Sequence, residues 1–405
     1  MRAASDRLRA LVLTRTYSHT VSYYNSWQTG LQLHPLFATT VQDVGRCRAS
    51  TLGRELVNYD ALILLHSCTA DTLDDLGTLV PALADRGSCR LLAFVGNEFN
   101  SPHAPLAGKI AALRACRPDI VATQLLQEAG HFLYDGVAPK IVSIPHALEE
   151  GRFSPGPADE SRSIDLGFRG FRYSPLIGDQ ERISVVEQVT DQAMKRGLRL
   201  YIDWDQRLKP EAWAEFLQNC RGTIGCEAGS WYLDRDDALV NRIYADVKRT
   251  RKGIVLSEDT PLRGAFRKLP AGLKKAAGHI LRYGPVKYAP FEDESLDFQR
   301  LEQAFFKSAT KAPVYSKCIS SRHFEAAGTG TCQIMIDGRY NDILQAGEHY
   351  VAVRPDFSNV EQAVDSFCDP AHRKKIAEQA FALVHGAHTF AHRLGQLHSC
   401  ILTGA

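Results

Sequence analysis

Short apolar runs alternate with helix-length segments throughout the first part of the chain. The runs lie at residues 10–13, 61–65, 91–95, 120–122 and 140–144. Such a spacing is typical of a parallel β-sheet whose strands are joined by crossover helices. We therefore expect residues 1–150 to form one Rossmann-like, doubly wound α/β domain.

A second series of apolar runs follows at residues 164–168, 198–202, 223–226, 332–336 and 350–353. A non-periodic stretch rich in Pro and Gly separates the two series, which is typical of a linker. The pattern predicts an α/β protein with two Rossmann-like domains that face each other across a cleft.

The second domain is predicted over residues 158–385 and the linker over 145–157. We expect a C-terminal helix within residues 386–405 that packs back on the first domain.

Residues 246–290 interrupt the alternation and carry eleven Lys or Arg side chains against three acidic ones. Two interpretations stay open for this basic insertion. It is either a solvated segment that balances acidic surface elsewhere, or a partly amphipathic hairpin that docks on anionic lipid or an anionic glycan.

The overall composition excludes few classes of protein. The formal charge of the 405 residues is +2, so there is no strong basic excess of the kind that nucleic-acid-binding proteins show. The ten cysteines include no Cys-x-x-Cys pair, which favours free thiols in a reducing compartment. No signal peptide or transmembrane run is visible, so we expect a cytoplasmic protein.

The most informative motif is the run from Ser320 to Thr331, which joins a short helix to a glycine turn and an apolar strand. Glu325 on such a helix can accept hydrogen bonds from a ribose diol. The free N–H groups at the helix start attract phosphate. Side chains just ahead of the helix and in its first turn can bind the same phosphate, namely Lys317, Ser320, Ser321 and Arg322.

This run resembles the donor-binding signature of GT-B glycosyltransferases, and the similarity continues through residues 337–344, 348–350, 354–359 and 377–397. The chain resembles the "glycosyl transferases group 1" branch from bacterial polysaccharide clusters, which is related to the spore-coat glycosyltransferase-like proteins. The similarity is moderate over residues 163–240, and in the N-terminal half it is one of pattern only.

The resemblance implies a nucleotide-sugar donor, a metal-independent reaction and no further cofactor. It implies that Glu325 holds the ribose and that Arg169 helps to hold the diphosphate. It also implies that the turn formed by Gly338, Tyr340 and Asn341 touches the sugar or diphosphate through backbone amides. Many members carry a second Glu where this chain has Lys317, so the residues at the reacting centre must come from elsewhere.

Three residues of the second domain are candidates for the chemistry itself. Glu227 ends a strand in a Glu-Ala-Gly-Ser run and can act as a base or nucleophile, or bind donor hydroxyls. His323 can act as an acid, and Asp234 is the weaker third candidate. Structural alternatives remain for each: an ion pair for Glu227, a satisfied histidine for His323 and a helix cap for Asp234.

The loops after the strands of the first domain should shape acceptor recognition. They carry five candidate side chains, of which His19 and Glu98 are candidate bases: Thr14, Tyr17, His19, His66 and Glu98. No Gly-x-Gly-x-x-Gly follows the first strand and no P-loop is present, so the usual NAD and ATP signatures are missing. A lone Asp-x-Asp at residues 203–205 is weak evidence for a metal, and we expect none.

The leading interpretation is a glycosyltransferase that moves a sugar from a nucleotide-sugar donor to a polysaccharide, lipopolysaccharide or lipid-linked glycan acceptor. We expect it to be cytoplasmic and to work peripherally at the inner face of the membrane, without a nucleic-acid partner. Two alternatives stay open. One keeps the fold but uses a CMP-activated acidic sugar, Kdo-like or sialic-acid-like, and the other is a catalytically inactive GT-B scaffold.

Overall fold

The computed structural model describes residues 7–16, 22–204, 208–250, 255–256, 273, 287–288, 293 and 295–403. The first part of the chain forms a parallel sheet of six strands in the order β2-β1-β3-β4-β5-β6. These strands are β1 Leu8–Thr14, β2 Phe37–Asp43, β3 Ala61–Leu64, β4 Arg90–Phe94, β5 Ile120–Thr123 and β6 Lys140–Ser143. The helices between them are α1 Ser22–Leu33, α2 Ala49–Glu55, α3 Asp74–Ala84, α4 Leu106–Cys116 and α5 Gln127–Tyr134, with short 3-10 turns at Val44–Arg46, Leu56–Asn58 and His66–Cys68.

Strand β2 is the one strand of this sheet that the apolar pattern did not predict. It lies at the edge of the sheet and pairs only with β1. Phe37 is fully buried, while the six following residues are only half-buried or exposed. An edge strand needs no continuous apolar run, so its sequence resembles a loop.

The second sheet has five parallel strands in the order β15-β14-β9-β7-β8. These strands are β7 Ile164–Arg169, β8 Leu200–Asp203, β9 Cys220–Gly225, β14 Cys332–Ile336 and β15 Val351–Val353. Two-stranded pairs join β10 Ala228–Gly229 to β13 Lys317–Cys318, and β11 Val255–Leu256 to β12 Lys287–Tyr288.

The helices of this part are α6 Glu181–Lys195, α7 Pro210–Asn219, α8 Ala238–Thr250, α9 Phe298–Leu301, α10 Ser321–Gly328, α11 Val360–Cys368, α12 Pro370–Ala387 and α13 Phe390–Leu402. A π-helical turn lies at Glu302–Phe306 and 3-10 turns at Asp159–Ser161, Pro175–Ile177 and Tyr340–Asp342. Two parallel sheets with alternating helices confirm the predicted α/β class, and this is the two-sheet arrangement that the GT-B resemblance implies.

The last helix packs on the first sheet rather than on the second. Phe390, Leu394, Leu397 and Ile401 of α13 share a buried cluster with apolar residues of β1, β3 and β4. Leu148, after β6, exchanges backbone hydrogen bonds with residues 388 and 390 at the start of α13. The chain thus closes the core of its first sheet with its final helix.

A loop of the second part of the chain docks on the first. Leu233 packs in the core beneath the first sheet, and the buried Asp237 accepts hydrogen bonds from the backbone N–H groups of Leu106 (3.1 Å) and Ala107 (2.8 Å). Asp237 therefore caps α4 from outside the first sheet. Asn100 donates to the same carboxylate at 2.7 Å, which fixes the two parts against each other.

No helix among the described residues is long and apolar enough to cross a membrane. The predicted basic insertion lies largely outside the described residues, apart from the end of α8, residue 273 and the pair of two-residue strands β11 and β12.

Replacing Asp237 by Ala should lower the free energy of unfolding by about 1–3 kcal/mol, because two helix-start N–H groups lose their acceptor and the Asn100 amide loses one of its acceptors. Urea unfolding followed by circular dichroism measures this change. The exposed Asp85, changed to Ala, serves as the control and should have little effect. Equal stabilities of the two variants would show that the cap contributes nothing.

Candidate functional site

Three arginines converge where the carboxyl ends of β7 and β9 meet the start of α10. Arg169 ends β7, Arg182 lies in the first turn of α6 and Arg322 in the first turn of α10. All three line one cleft, whose wall includes Trp213 and Ser320. We call this the arginine cleft. Its volume of about 30 Å³ is far smaller than a nucleotide, so most of a nucleotide-sized ligand must lie outside it.

The arginine cleft carries a net positive charge, although one of its three guanidinium groups is paired with a carboxylate. Arg169 forms an ion pair with Asp203, while Arg182 stacks on the Tyr173 ring at 3.8 Å and donates to its hydroxyl. None of the described residues that line the cleft is acidic. The N-terminus of α10 adds its dipole and its first N–H groups to the same place. The arrangement is therefore suited to an anion such as phosphate.

His323 is a structural residue of the helix start and is unsuited to the acid role considered from the sequence. Its Nδ1 accepts the Ser320 N–H at 3.0 Å, and the ring also interacts with the Cys226 carbonyl. Burial, with nearby Arg182 and Arg322, lowers its pKa to about 3. The ring is therefore neutral near pH 7 and has no proton that it readily gives up.

Glu325 is buried in α10 and accepts a hydrogen bond from the Trp213 indole N–H at 2.8 Å. Burial raises the pKa of this carboxyl, and the Trp213 hydrogen bond opposes that rise. Because Trp213 lines the arginine cleft, Glu325 holds one wall of the cleft in place. Ser321 is also buried and interacts with the same carboxyl.

A second and larger cavity lies beside the arginine cleft. Its volume is about 320 Å³, at the lower end of the range of about 300–1,000 Å³ typical of small-molecule pockets. Three carboxylates line it together with two aromatic rings. The lining residues are Glu181, Glu227, Trp231, Lys311, Tyr315, Ile336, Asp337 and Pro355. We call it the carboxylate cavity.

Glu227 is the most buried carboxylate of this cavity. It accepts hydrogen bonds from the Tyr315 hydroxyl and, at 2.7 Å, from the Tyr340 N–H. Burial raises its pKa, although both hydrogen bonds oppose the rise. A Cβ atom at Gly338 would collide with this carboxylate, so any larger residue there would have to displace it. A carboxyl with a raised pKa on a cavity wall can bind hydroxyls or exchange a proton.

Lys317 is not available to a phosphate, contrary to the role expected from the sequence. It is fully buried, and its Nζ lies 2.8 Å from Asp179 and 2.5 Å from Glu181. Burial alone would lower its pKa, but these two carboxylates raise it, so the ammonium stays charged. Its positive charge is therefore neutralised by carboxylates of the protein itself.

The turn after β14 has an unusual backbone. Tyr340, Asn341 and Asp342 all have positive φ angles between 46° and 58°. The amide N–H groups of Gly338 and Tyr340 face Tyr350 and Glu227 rather than open space. The expected role of these amides in binding a sugar or diphosphate is thus not what this geometry favours.

The same turn connects the two sheets. The Asn341 side chain accepts the Ile319 N–H at 2.8 Å and donates to the Gln124 carbonyl, after β5, at 2.9 Å. Arg339 pairs with Glu128 of α5. The turn therefore holds the cavity wall against the first sheet.

Glu98 and Asp234 are occupied by structural contacts. Glu98 is buried and accepts hydrogen bonds from the Thr123 hydroxyl (2.6 Å), the Gln124 N–H (2.8 Å) and the Tyr134 hydroxyl (2.8 Å). Asp234 accepts from Asn100 at 3.0 Å near the start of α8. These contacts explain both residues without a role as a base or an acid.

The remaining first-domain candidates lie near the carboxyl ends of β1 and β3. Thr14 is buried and its hydroxyl lies 3.0 Å from that of Ser67. His66 is fully buried and stacks on Phe94 with a centroid distance of 4.4 Å. Burial lowers the pKa of His66 well below its usual value. Tyr17 and His19 lie outside the described residues.

Within the described part of the chain, no group of three or more His, Cys, Asp or Glu side chains could hold a metal ion. Asp203, one half of the Asp-x-Asp match, is paired with Arg169, and Asp205 lies outside that part.

Comparison with known proteins agrees with a glycosyltransferase fold of two parallel sheets. Residues 295–399 match the family described as glycosyl transferase-like, which confirms the resemblance over this stretch and supports a glycosyltransferase function. The matched stretch includes Arg322, Glu325 and Asp337. No curated protein matches the chain.

Several solved structures are similar to the chain at low identity. HepE of Anabaena, in complex with UDP and glucose, is 12% identical with a TM-score of 0.47, over 97% of this chain and 99% of that one. A glycosyltransferase from Rickettsia africae is 11% identical with a TM-score of 0.42, over 99% and 100% of the two chains. The α,α-trehalose-6-phosphate synthase of Burkholderia multivorans is 11% identical with a TM-score of 0.43, over 98% and 96%.

Sequence reasoning missed several residues of the two cavities. They are Glu181, Arg182, Trp213, Tyr315 and Asp337. Glu181 and Arg182 begin the helix after β7, and Asp337 directly follows β14. The rule that ligands bind at the carboxyl edge of a parallel sheet could have identified these three residues. Trp213 and Tyr315 carry no such signal, because only tertiary packing brings them to the site.

Replacing His323 by Gln should flatten the dependence of stability on pH. Between about pH 6.5 and 3 the unfolded chain binds a proton at His323 that the folded protein does not, so stability falls with falling pH by up to about 1.4 kcal/mol per pH unit for this residue. Gln can keep both hydrogen bonds but cannot titrate. Urea unfolding at several pH values between 4 and 7 measures the slope.

The wild-type protein, measured at the same pH values, provides the comparison. An unchanged slope in the His323 variant would contradict the lowered pKa.

Proposed function

We propose that this protein is a glycosyltransferase whose donor is a nucleoside-diphosphate sugar and whose acceptor is a polysaccharide or lipid-linked glycan. The single observation that carries the donor proposal is the arginine cleft. Three guanidinium groups and a helix N-terminus meet at the carboxyl edge of the second sheet, the edge at which α/β proteins bind nucleotides.

The departing diphosphate is the group that this cleft would stabilise. Glycosyl transfer breaks the bond between the sugar's anomeric carbon and the phosphate oxygen, so negative charge develops on the diphosphate. Arg169, Arg182 and Arg322 can offset this charge through charge-assisted hydrogen bonds. Because they supply positive charge at the leaving group, we expect activity to persist in EDTA.

Glu227 is the proposed residue at the reacting centre. It lines the cavity beside the cleft, and its carboxyl is held in one orientation by Tyr315 and the Tyr340 amide. A fixed carboxylate can stabilise the oxocarbenium-like charge of the sugar or accept the acceptor's proton. Glu325, which the resemblance assigns to the nucleotide ribose, is proposed in addition to hold Trp213 at the wall of the cleft.

The acceptor proposal includes docking on a membrane through the basic insertion. Lipid-linked acceptors are presented at the membrane surface, where each Lys or Arg near an anionic leaflet contributes about 1 kcal/mol of attraction. The eleven basic residues within 246–290 support this part of the proposal. Co-sedimentation with vesicles that contain anionic lipid, compared with neutral vesicles, tests it directly.

Replacing Arg322 by Met should weaken nucleoside-diphosphate binding by about 10- to 100-fold, since one charge-assisted hydrogen bond contributes about 1.5–3 kcal/mol. Calorimetric titration with UDP, GDP, dTDP and CMP measures the affinities. The exposed Arg114, changed to Met, is the matched control and should bind like the wild type.

The nucleotide panel also separates the alternatives. Preference for CMP would favour the CMP-sugar interpretation. Failure of the wild type to bind any of the four nucleotides would refute the donor proposal and favour an inactive scaffold.

Replacing Glu227 by Gln should lower turnover far more than donor affinity, as expected for a group that acts mainly in the transition state. Turnover is measured as sugar transfer or donor hydrolysis, and affinity by titration with the same donor. The exposed Glu378, changed to Gln, is the control. A tenfold loss of turnover corresponds to about 1.4 kcal/mol of transition-state stabilisation. If turnover stays within about twofold of the wild type, Glu227 does not act at the reacting centre.

A further inference from the structure

The arginine cleft and the carboxylate cavity share two walls. Glu181 lines the cavity and the next residue, Arg182, lines the cleft. Likewise Cys226 lines the cleft and the next residue, Glu227, lines the cavity. Consecutive Cα atoms are only about 3.8 Å apart, so the same two backbone segments border both spaces.

The electrostatics of the two spaces are opposite. The cavity is lined by Glu181, Glu227 and the exposed Asp337, against the single cation Lys311. Lys317 does not reverse this balance, because it pairs with both Asp179 and Glu181. With its side chains ionised, the lining of the carboxylate cavity is therefore net negative, whereas that of the arginine cleft is net positive.

The aromatic residues of the cavity give it the remaining features of a sugar site. The rings of Trp231 and Tyr315 are nearly perpendicular, with centroids 5.0 Å apart. The Trp231 N–H donates to Glu181 at 2.8 Å, which holds the ring in position. The ammonium groups of Lys311 and Lys317 lie 5.4 Å and 5.2 Å from the centre of the Trp231 ring. The carboxylate oxygens of the cavity can accept hydrogen bonds from the hydroxyls of a sugar.

We propose that the carboxylate cavity is the subsite for the transferred sugar and that it selects an uncharged sugar over one that bears a carboxylate. This inference rests on the proposed function, since it needs a phosphate of the donor at the arginine cleft. A uronic, Kdo-like or sialic-acid-like sugar would bring its own negative charge beside Glu227 and Asp337. Like charges placed together disfavour binding and so exclude the wrong ligand.

The test compares donors that differ only in one carboxylate. Calorimetry gives the Kd of UDP, UDP-glucose and UDP-glucuronate, and the same measurements are made with GDP, GDP-mannose and GDP-mannuronate. On the nucleotide that the protein binds, the neutral sugar should bind at least about tenfold more tightly than the uronate, as expected for partly screened like charges. CMP and a CMP-linked sialic acid complete the panel.

The variant Asp337→Asn tests whether the cavity causes this preference. Asn keeps an oxygen for the Tyr350 hydroxyl, which lies 3.1 Å from the present carboxylate. The ratio of the uronate Kd to the neutral-sugar Kd should fall severalfold in this variant. Glu378→Gln, which removes an exposed charge outside the cavity, should leave the ratio unchanged.

The outcomes separate this inference from the proposed function. If the free nucleoside diphosphate binds but the wild type takes the uronate as tightly as the neutral sugar, the charge selection is wrong and the donor proposal stands. An unchanged ratio in Asp337→Asn would equally overturn the cavity assignment. If none of the free nucleotides binds, the donor proposal fails and this inference fails with it.

Discussion

A buried ammonium group organises the centre of the second sheet's ligand edge. Lys317 is removed from water and lies between Asp179 and Glu181, which ties strand β13 to the start of α6. Loss of one partner of such a pair leaves an uncompensated buried charge, which costs about 3–5 kcal/mol. Because Glu181 also orients Trp231, and because Arg182 is its neighbour in sequence, the ion pair positions residues of both the cleft and the cavity.

The turn at residues 340–342 connects this centre to the first sheet. Three consecutive positive φ angles in residues other than glycine are unfavourable, by about 1–2 kcal/mol per residue. The surrounding contacts hold the turn in this conformation: Tyr340 donates to Glu227, and Asn341 bonds to Ile319 and Gln124. Glu98 accepts a hydrogen bond from the Gln124 N–H and so helps to hold the contact between the two sheets. This is a structural role for a residue that the sequence suggested as a base.

The segments at residues 181–182 and 226–227 border a positively charged cleft and a negatively charged cavity, and this pair of charges fits a nucleotide sugar. A nucleotide sugar has an anionic diphosphate joined to a sugar that is usually rich in hydroxyl groups. Guanidinium groups on one side and carboxylates on the other therefore bind its two ends differently. Glu181 lines the cavity and the next residue, Arg182, lines the cleft, so the charge that faces the two spaces changes from negative to positive between two consecutive residues.

The sequence by itself determined the fold class, because alternating apolar runs of strand and helix length leave little choice but parallel α/β sheets. It also indicated the ligand edge and the helix start at Ser320, since capping and strand-end residues act locally. It did not predict the edge strand β2, whose polar residues need no burial.

Only the tertiary structure decided which charged residues face a ligand. Lys317, Glu98 and His323 carry the chemistry expected of site residues, yet each is occupied by internal contacts. The partners of Lys317 and Glu98 lie far away in sequence or on other elements. The same is true of Glu325 and Glu227, which bind Trp213 and Tyr315 at the two cavities. Pairing of buried polar groups depends on this three-dimensional proximity, and local patterns along the chain do not record it.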